Sequence, residues 1–115
     1  MAFDVRPLTA ILGADVSGVD MADVDGLTLE ALHRAWLDYK VLVLRDQHIT
    51  IEEHIAFGRL FGDLEVHPFA VRRRARTDHP EVVTIRSDAE TTYSASLWHS
   101  DVTWREAPSM GSVLR

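Results

Sequence analysis

The chain contains no cysteine in its 115 residues. Disulfide frameworks and thiolate metal sites are thereby excluded, and any metal held here needs nitrogen and oxygen ligands. No apolar run approaches the ~18 residues that a membrane span requires. The opening Met-Ala-Phe-Asp-Val-Arg-Pro-Leu lacks the apolar core of a signal peptide. These absences point to a cytoplasmic protein with no membrane partner. Positive charge is scarce, with 12 Lys and Arg against 18 Asp and Glu, a net charge of −6 and a pI near 5.4. That balance argues against general nucleic-acid binding. Internal repeats and low-complexity segments are also missing.

What is present is ordinary for a globular domain: 46% hydrophobic and 26% charged residues. The length allows at most one domain. Charge is uneven along it. Residues 1–65 carry 5 basic and 12 acidic side chains, while residues 66–115 carry 7 and 6. Arg72, Arg73, Arg74 and Arg76 supply the later excess. Such a run steers an anionic substrate, or is a solvated loop or a subunit contact. Asp20, Asp23 and Asp25 lack the continuation of a calcium loop and read as an acidic turn.

Alternation and punctuation predict short strands over Phe3–Leu8 and Gly13–Asp20. A helix is expected from an N-cap at Thr28, with Leu29, Leu32, Trp36 and Tyr39 as its apolar stripe. Val41–Leu44 reads as a strand buried on both faces. Thr50-Ile-Glu-Glu53 fits a capping box. It opens a second helix that buries Ile51, Ile55, Phe57, Leu60 and Phe61, with Gly62 as its left-handed cap. Glu81–Arg86 is strand-like by its β-branched content, and Gly111–Arg115 reads as the start of another strand. Ser87–Leu97 reads as a loop. The mixture predicts an α+β arrangement with helices beside a mostly antiparallel sheet.

The run Trp98-His-Ser-Asp-Val-Thr-Trp104 carries the chemistry. In an extended chain, residues i and i+2 share a face, so His99 and Asp101 can aim at one point. Two His and one carboxylate with open positions suit a non-haem Fe(II) centre. Chance alone yields roughly 0.6 His-x-Asp occurrences in this composition, so the spacing needs context. The bland reading is an imidazole hydrogen-bonded to a nearby carboxylate. Trp98 and Trp104 read as packing residues that fix this strand, and Trp36 as core.

The context is a set of segments in order: Gly13–Asp20, Val41-Leu-Val-Leu-Arg-Asp-Gln47, Phe61-Gly-Asp-Leu-Glu-Val-His-Pro68, and Trp98–Trp104. Together they resemble the taurine dioxygenase-like family of Fe(II)/2-oxoglutarate-dependent dioxygenases. The resemblance implies the N-terminal part of a double-stranded β-helix, or jelly-roll, core with flanking helices. It implies Fe(II) as metal, 2-oxoglutarate as cosubstrate, and O2 and a small anionic organic molecule as partners. Family members are commonly oligomers, so a homo-oligomer is expected.

By the same resemblance His99 and Asp101 are metal ligands. The family's second His, its 2-oxoglutarate-anchoring Arg and a Thr that also helps bind 2-oxoglutarate lie further downstream. Residues 1–115 are thus expected to form a partial domain, ending before those groups. His33, His48, His54, His67 and His79 all precede the motif.

His67 corresponds to the family histidine that contacts a sulfonate, a role an imidazole donor suits; it otherwise reads as a loop His after a helix. The taurine-cleaving branch carries a Tyr three residues after this His and an Asn four before the metal His. Here those places hold Ala70 and Ala95. Loss of such contacts disfavours the original substrate. The expected substrate is therefore a larger alkyl sulfonate or sulfate ester rather than taurine. Hydroxylation beside the sulfur-bearing group would give an aldehyde and sulfite or sulfate. The other reading is a truncated, non-catalytic relative that serves as an interaction module or remnant, exposing strand edges for pairing.

Overall fold

The computed structural model describes residues 3–68, 78–86, 88–90 and 97–115. It divides into two compact units, Met1–Gly62 together with Arg115, and Asp63–Leu114. Arg72, Arg73, Arg74, Arg76, Ala70 and Ala95 lie outside the described residues.

The first unit is a small α+β assembly. Strand β1 (Asp4–Pro7) pairs antiparallel with β2 (Ala14–Ser17), in the register Asp4 with Ser17 and Pro7 with Ala14. Thr9 builds the connection: its hydroxyl accepts from the amides of Ile11 and Leu12 and donates to the Leu12 carbonyl. Gly13 closes it at φ 86°, a backbone that L side chains rarely adopt. Helix α1 (Gly26–Tyr39) then crosses over, and strand β3 (Leu42–Leu44) returns parallel to β2. A parallel return needs such a crossover. The sheet order β1-β2-β3 is therefore mixed rather than mostly antiparallel.

Alternation places Ala14 and Val16 inward, both fully buried, in a core that also holds Leu32 and Ala35 of α1. On the other face Asp15 accepts from Arg6 Nη2 at 3.2 Å and from Arg45 Nε at 2.9 Å. The two guanidinium hydrogen bonds, Arg45's the larger, hold the Asp15 carboxyl below its ordinary range.

Several details depart from the sequence reading. Helix α1 begins earlier: Asp25 is the N-cap and accepts from the Thr28 amide at 2.7 Å, so Thr28 is a buried first-turn residue. A carboxylate at this place satisfies an amide that has no helical partner. The helix ends at Lys40, at φ 68°, whose amide donates to the Trp36 carbonyl. Strand β3 is half-buried, with Val41 exposed, because it sits at the sheet edge with one partner strand.

Helix α2 (Ile51–Arg59) has the expected capping box, with Thr50 accepting from the Glu53 amide and Glu53 from the Thr50 amide. Ile55 and Phe57 are buried and Leu60 is exposed. The helix closes through tight i→i−3 bonds at Leu60, Phe61 and Gly62. Gly62, at φ 151°, does not take the left-handed helical cap geometry. Phe61 meets the ring of Trp36 edge-on at 5.8 Å and that of Phe57 at 5.4 Å. Trp36 is half-buried and donates its indole N–H to the Lys40 carbonyl.

Between β3 and α2, Gln47 joins separate backbone stretches. Its amide oxygen accepts from Met21 N, and its amide nitrogen donates to the carbonyls of Val19 and Arg45, all at 2.8–2.9 Å.

The second unit has no helix or strand among its described residues. The expected strands at 81–86 and 111–115 are irregular there, as is the Trp98–Trp104 run. Strand residues form a ladder only beside a partner, and none is offered among the described residues. Turns take the ladder's place, at Val82 N to His79 O and at Arg105 N to Val102 O. Among the described residues no helix is long and apolar enough to cross a membrane.

Candidate metal centre

His99 and Asp101 come together, although not by strand alternation. The chain bends at Asp101 and turns over Val102–Arg105. Val102 sits at φ 54° and is buried, a strained backbone for a β-branched residue. Across this bend His99 Nε2 lies 3.2 Å from Asp101 Oδ1. The Ser100 and Thr103 hydroxyls bond each other at 2.6 Å and brace the turn.

The other face of the imidazole fixes its chemistry. His99 Nδ1 lies 2.7 Å from the Leu97 carbonyl oxygen. A carbonyl only accepts, so Nδ1 carries a proton and Nε2 is the nitrogen left for a ligand. In the neutral ring the Nε2 lone pair faces a carboxylate oxygen, and a positive centre beside them, a proton or a metal ion, relieves the repulsion. Ligand atoms ~2.1–2.2 Å from one metal and at right angles are ~3.0–3.1 Å apart. The observed 3.2 Å fits a pair of adjacent ligands. A backbone carbonyl on the far ring nitrogen is the kind of partner that orients a histidine for metal binding. Both side chains are solvent-accessible. Among the described residues no third His, Asp or Glu joins them.

His67 is half-buried in the same unit, two residues beyond Glu65. Glu65 Oε1 accepts from Arg105 Nη1 at 2.6 Å, and Oε2 accepts from the Ser109 hydroxyl. The Ser109 hydrogen bond, then the Arg105 charge, hold the Glu65 carboxyl below its usual range, and His67 adds in the same direction. Sequence reasoning missed Glu65, Arg105, Ser109 and the Val102 turn. The only signal was opposite charge at positions 40 residues apart, which no local pattern reveals. Trp98 and Trp104 are exposed rather than packed, and the Arg105 guanidinium lies 5.7 Å from the Trp104 ring centre. A hollow of about 440 Å³ in the first unit, between Val5 and α1, contains none of these residues.

A histidine–carboxylate pair whose far ring nitrogen sits on a backbone carbonyl has donors of the kind that non-haem metal centres use. Two solved structures resemble this chain. A Burkholderia xenovorans protein described as a putative alpha-ketoglutarate-dependent taurine dioxygenase matches 58% of this chain and 25% of its own, at 35% identity and a TM-score of 0.56. The structure of AAD-2 in complex with Mn(II) and N-oxalylglycine matches 57% of this chain and 26% of its own, at 33% identity and a TM-score of 0.55.

Residues 4–115 match the family model described as taurine catabolism dioxygenase TauD, TfdA family, and the chain belongs to that family. It is 38% identical over 113 residues to an (S)-phenoxypropionate/alpha-ketoglutarate-dioxygenase of Sphingobium herbicidovorans, covering 97% of this chain and 39% of that protein. It is 34% identical over 113 residues to an alkylsulfatase of Acinetobacter baylyi, covering 96% and 34%. With an alpha-ketoglutarate-dependent sulfate ester dioxygenase of Pseudomonas putida it shares 31% over 117 residues, covering 100% and 37%. The chain thus spans 34–39% of the length of these curated relatives.

Proposed function

We propose that residues 1–115 form the N-terminal portion of an Fe(II)/2-oxoglutarate-dependent dioxygenase that hydroxylates an alkyl sulfate ester or sulfonate. In this reading the sheet and helices flank a jelly-roll core of a cytoplasmic, homo-oligomeric enzyme. His99 Nε2 and Asp101 Oδ1 hold the iron, and the Leu97 carbonyl keeps the Nδ1 proton away from it. His67 donates a hydrogen bond to the anionic head of the substrate and so sets which carbon approaches the metal pair. Iron with 2-oxoglutarate and O2 supplies oxidation of a C–H bond, with succinate and CO2 as the coproducts. The hydroxylated carbon beside the ester oxygen then collapses to an aldehyde and sulfate. The observation that carries the reading is the 3.2 Å His99–Asp101 contact with the tautomer set by Leu97.

A second reading, an aryloxypropionate as substrate, is favoured by the 38% identity to the phenoxypropionate enzyme. One assay separates the two. The full-length protein is supplied with Fe(II), 2-oxoglutarate and O2, and succinate is measured with hexyl sulfate, taurine or (S)-phenoxypropionate. Succinate and sulfate in equal amounts from hexyl sulfate, lost in His99→Ala, support the first. Succinate with phenoxypropionate alone supports the second. Absence of succinate from every arm, in protein that unfolds cooperatively, overturns both and favours a non-catalytic relative.

A further inference from the structure

We propose that Glu65 is a positioning residue that ties the His67 segment to the His99–Asp101 turn through Arg105 and Ser109, so that the imidazole of His67 and the metal pair keep one separation. The inference rests on the roles of His67, His99 and Asp101 proposed above.

The second unit has no helix or strand among its described residues, so no ladder of backbone bonds sets the spacing of its segments there. Two hydrogen bonds span 40 and 44 residues of chain, and both end on Glu65. Each engages a different carboxylate oxygen, Oε1 with Arg105 and Oε2 with Ser109. One bond would leave the carboxylate free to swing; two, from donors four residues apart, define its plane. Arg105 is held in turn, with its guanidinium over the Trp104 ring and its amide closing the turn onto the Val102 carbonyl. Val102 adjoins Asp101, and Glu65 is two residues from His67. A path of side-chain and backbone links therefore runs from the anion-binding histidine to the metal carboxylate. Exposed ion pairs add little to stability. The value of this one is geometric, and a stability measurement alone will not reveal it.

The test uses the full-length protein with Mn(II) as the metal probe and proton NMR of the His67 ring. Mn(II) held by His99 and Asp101 broadens that signal steeply with distance. Glu65→Gln is expected to change the broadening and to weaken hexyl sulfate binding, read at the same ring, by about tenfold, as loss of outer-sphere support does. The thermal midpoint should move little. The exchange Glu65→Arg with Arg105→Glu should restore most of both effects. Ser109→Ala, a milder change on an exposed hydroxyl, should shift the broadening in the same direction by less, and it serves where Glu65→Gln does not fold. Unchanged broadening in Glu65→Gln and Ser109→Ala, or no recovery in the folded exchange variant, overturns the proposal. Succinate formation reports separately on the enzyme reading. If it is absent while the broadening still depends on Glu65, the dioxygenase reading falls and the positioning role stands.

Discussion

The turn at Val102 decides whether the His99–Asp101 pair is carried by a bend or by a strand, and replacing this residue by Ala and by Gly distinguishes the two. At an ordinary backbone angle Gly is less stable than Ala by roughly 0.5–1 kcal/mol, because its unfolded chain is freer. At φ 54° an L residue incurs about 1–2 kcal/mol of backbone repulsion that Gly escapes. The difference reverses the usual order: Val102→Gly should be about as stable as Val102→Ala, or up to ~1.5 kcal/mol more stable. Both should fall below the native chain where burial dominates, since Val102 is buried: Ala loses two methyl groups, ~1.6 kcal/mol, and Gly one carbon more. Urea unfolding followed by tryptophan fluorescence measures this, provided the two variants share one denaturant slope. If Val102→Gly is less stable than Val102→Ala by the ordinary 0.5–1 kcal/mol, residue 102 is extended and His99 and Asp101 converge by strand alternation after all.

Thr50→Ala removes the hydroxyl that accepts from Glu53 N and should cost about 1 kcal/mol, while Thr50→Ser should cost much less; urea midpoints decide. Gly13→Ala should lose up to ~1.5 kcal/mol, the backbone repulsion of about 1–2 kcal/mol at φ 86° less the roughly 0.5–1 kcal/mol that Ala gains through its less free unfolded chain. The added methyl would meet Leu8 Cδ1 at an ordinary 3.6 Å, so relieving Leu8 by truncation should not restore stability. Asp15 has a folded pKa below its ordinary 3.8. Its contribution is therefore complete above that value and is lost as pH falls through the lower folded value. Thermal midpoints between pH 6 and pH 2 should fall more steeply in the native chain than in Asp15→Asn; equal slopes would refute the assignment.

What could be read from the sequence was local. The capping box at Thr50 and Glu53 is written in four adjacent residues, and it forms as expected. The alternation of Ala14 and Val16 places β2 correctly. The start of α1 was misread because Gly26 and Leu27 hide a cap that lies three residues before Thr28. Strand character at 81–86 and 98–104 was inferred from side chains alone, whereas a strand also needs a neighbour. The convergence of His99 with Asp101 was expected, yet the means differ: a bend and a left-handed valine replace alternation. The Glu65–Arg105–Ser109 link was invisible because its ends are 40 or more residues apart.

The Gln47 side chain sets a narrow tolerance for substitution. The site asks for one acceptor and two donors at the end of a three-carbon reach. Glutamate offers acceptors only, lysine donors only, and asparagine has the right groups one methylene too short. No single replacement among the natural side chains meets all three demands. The turn that ends the first sheet therefore depends on one amide. In a library of random variants, position 47 should be depleted of nearly every alternative, including those that composition-based scales rate as conservative.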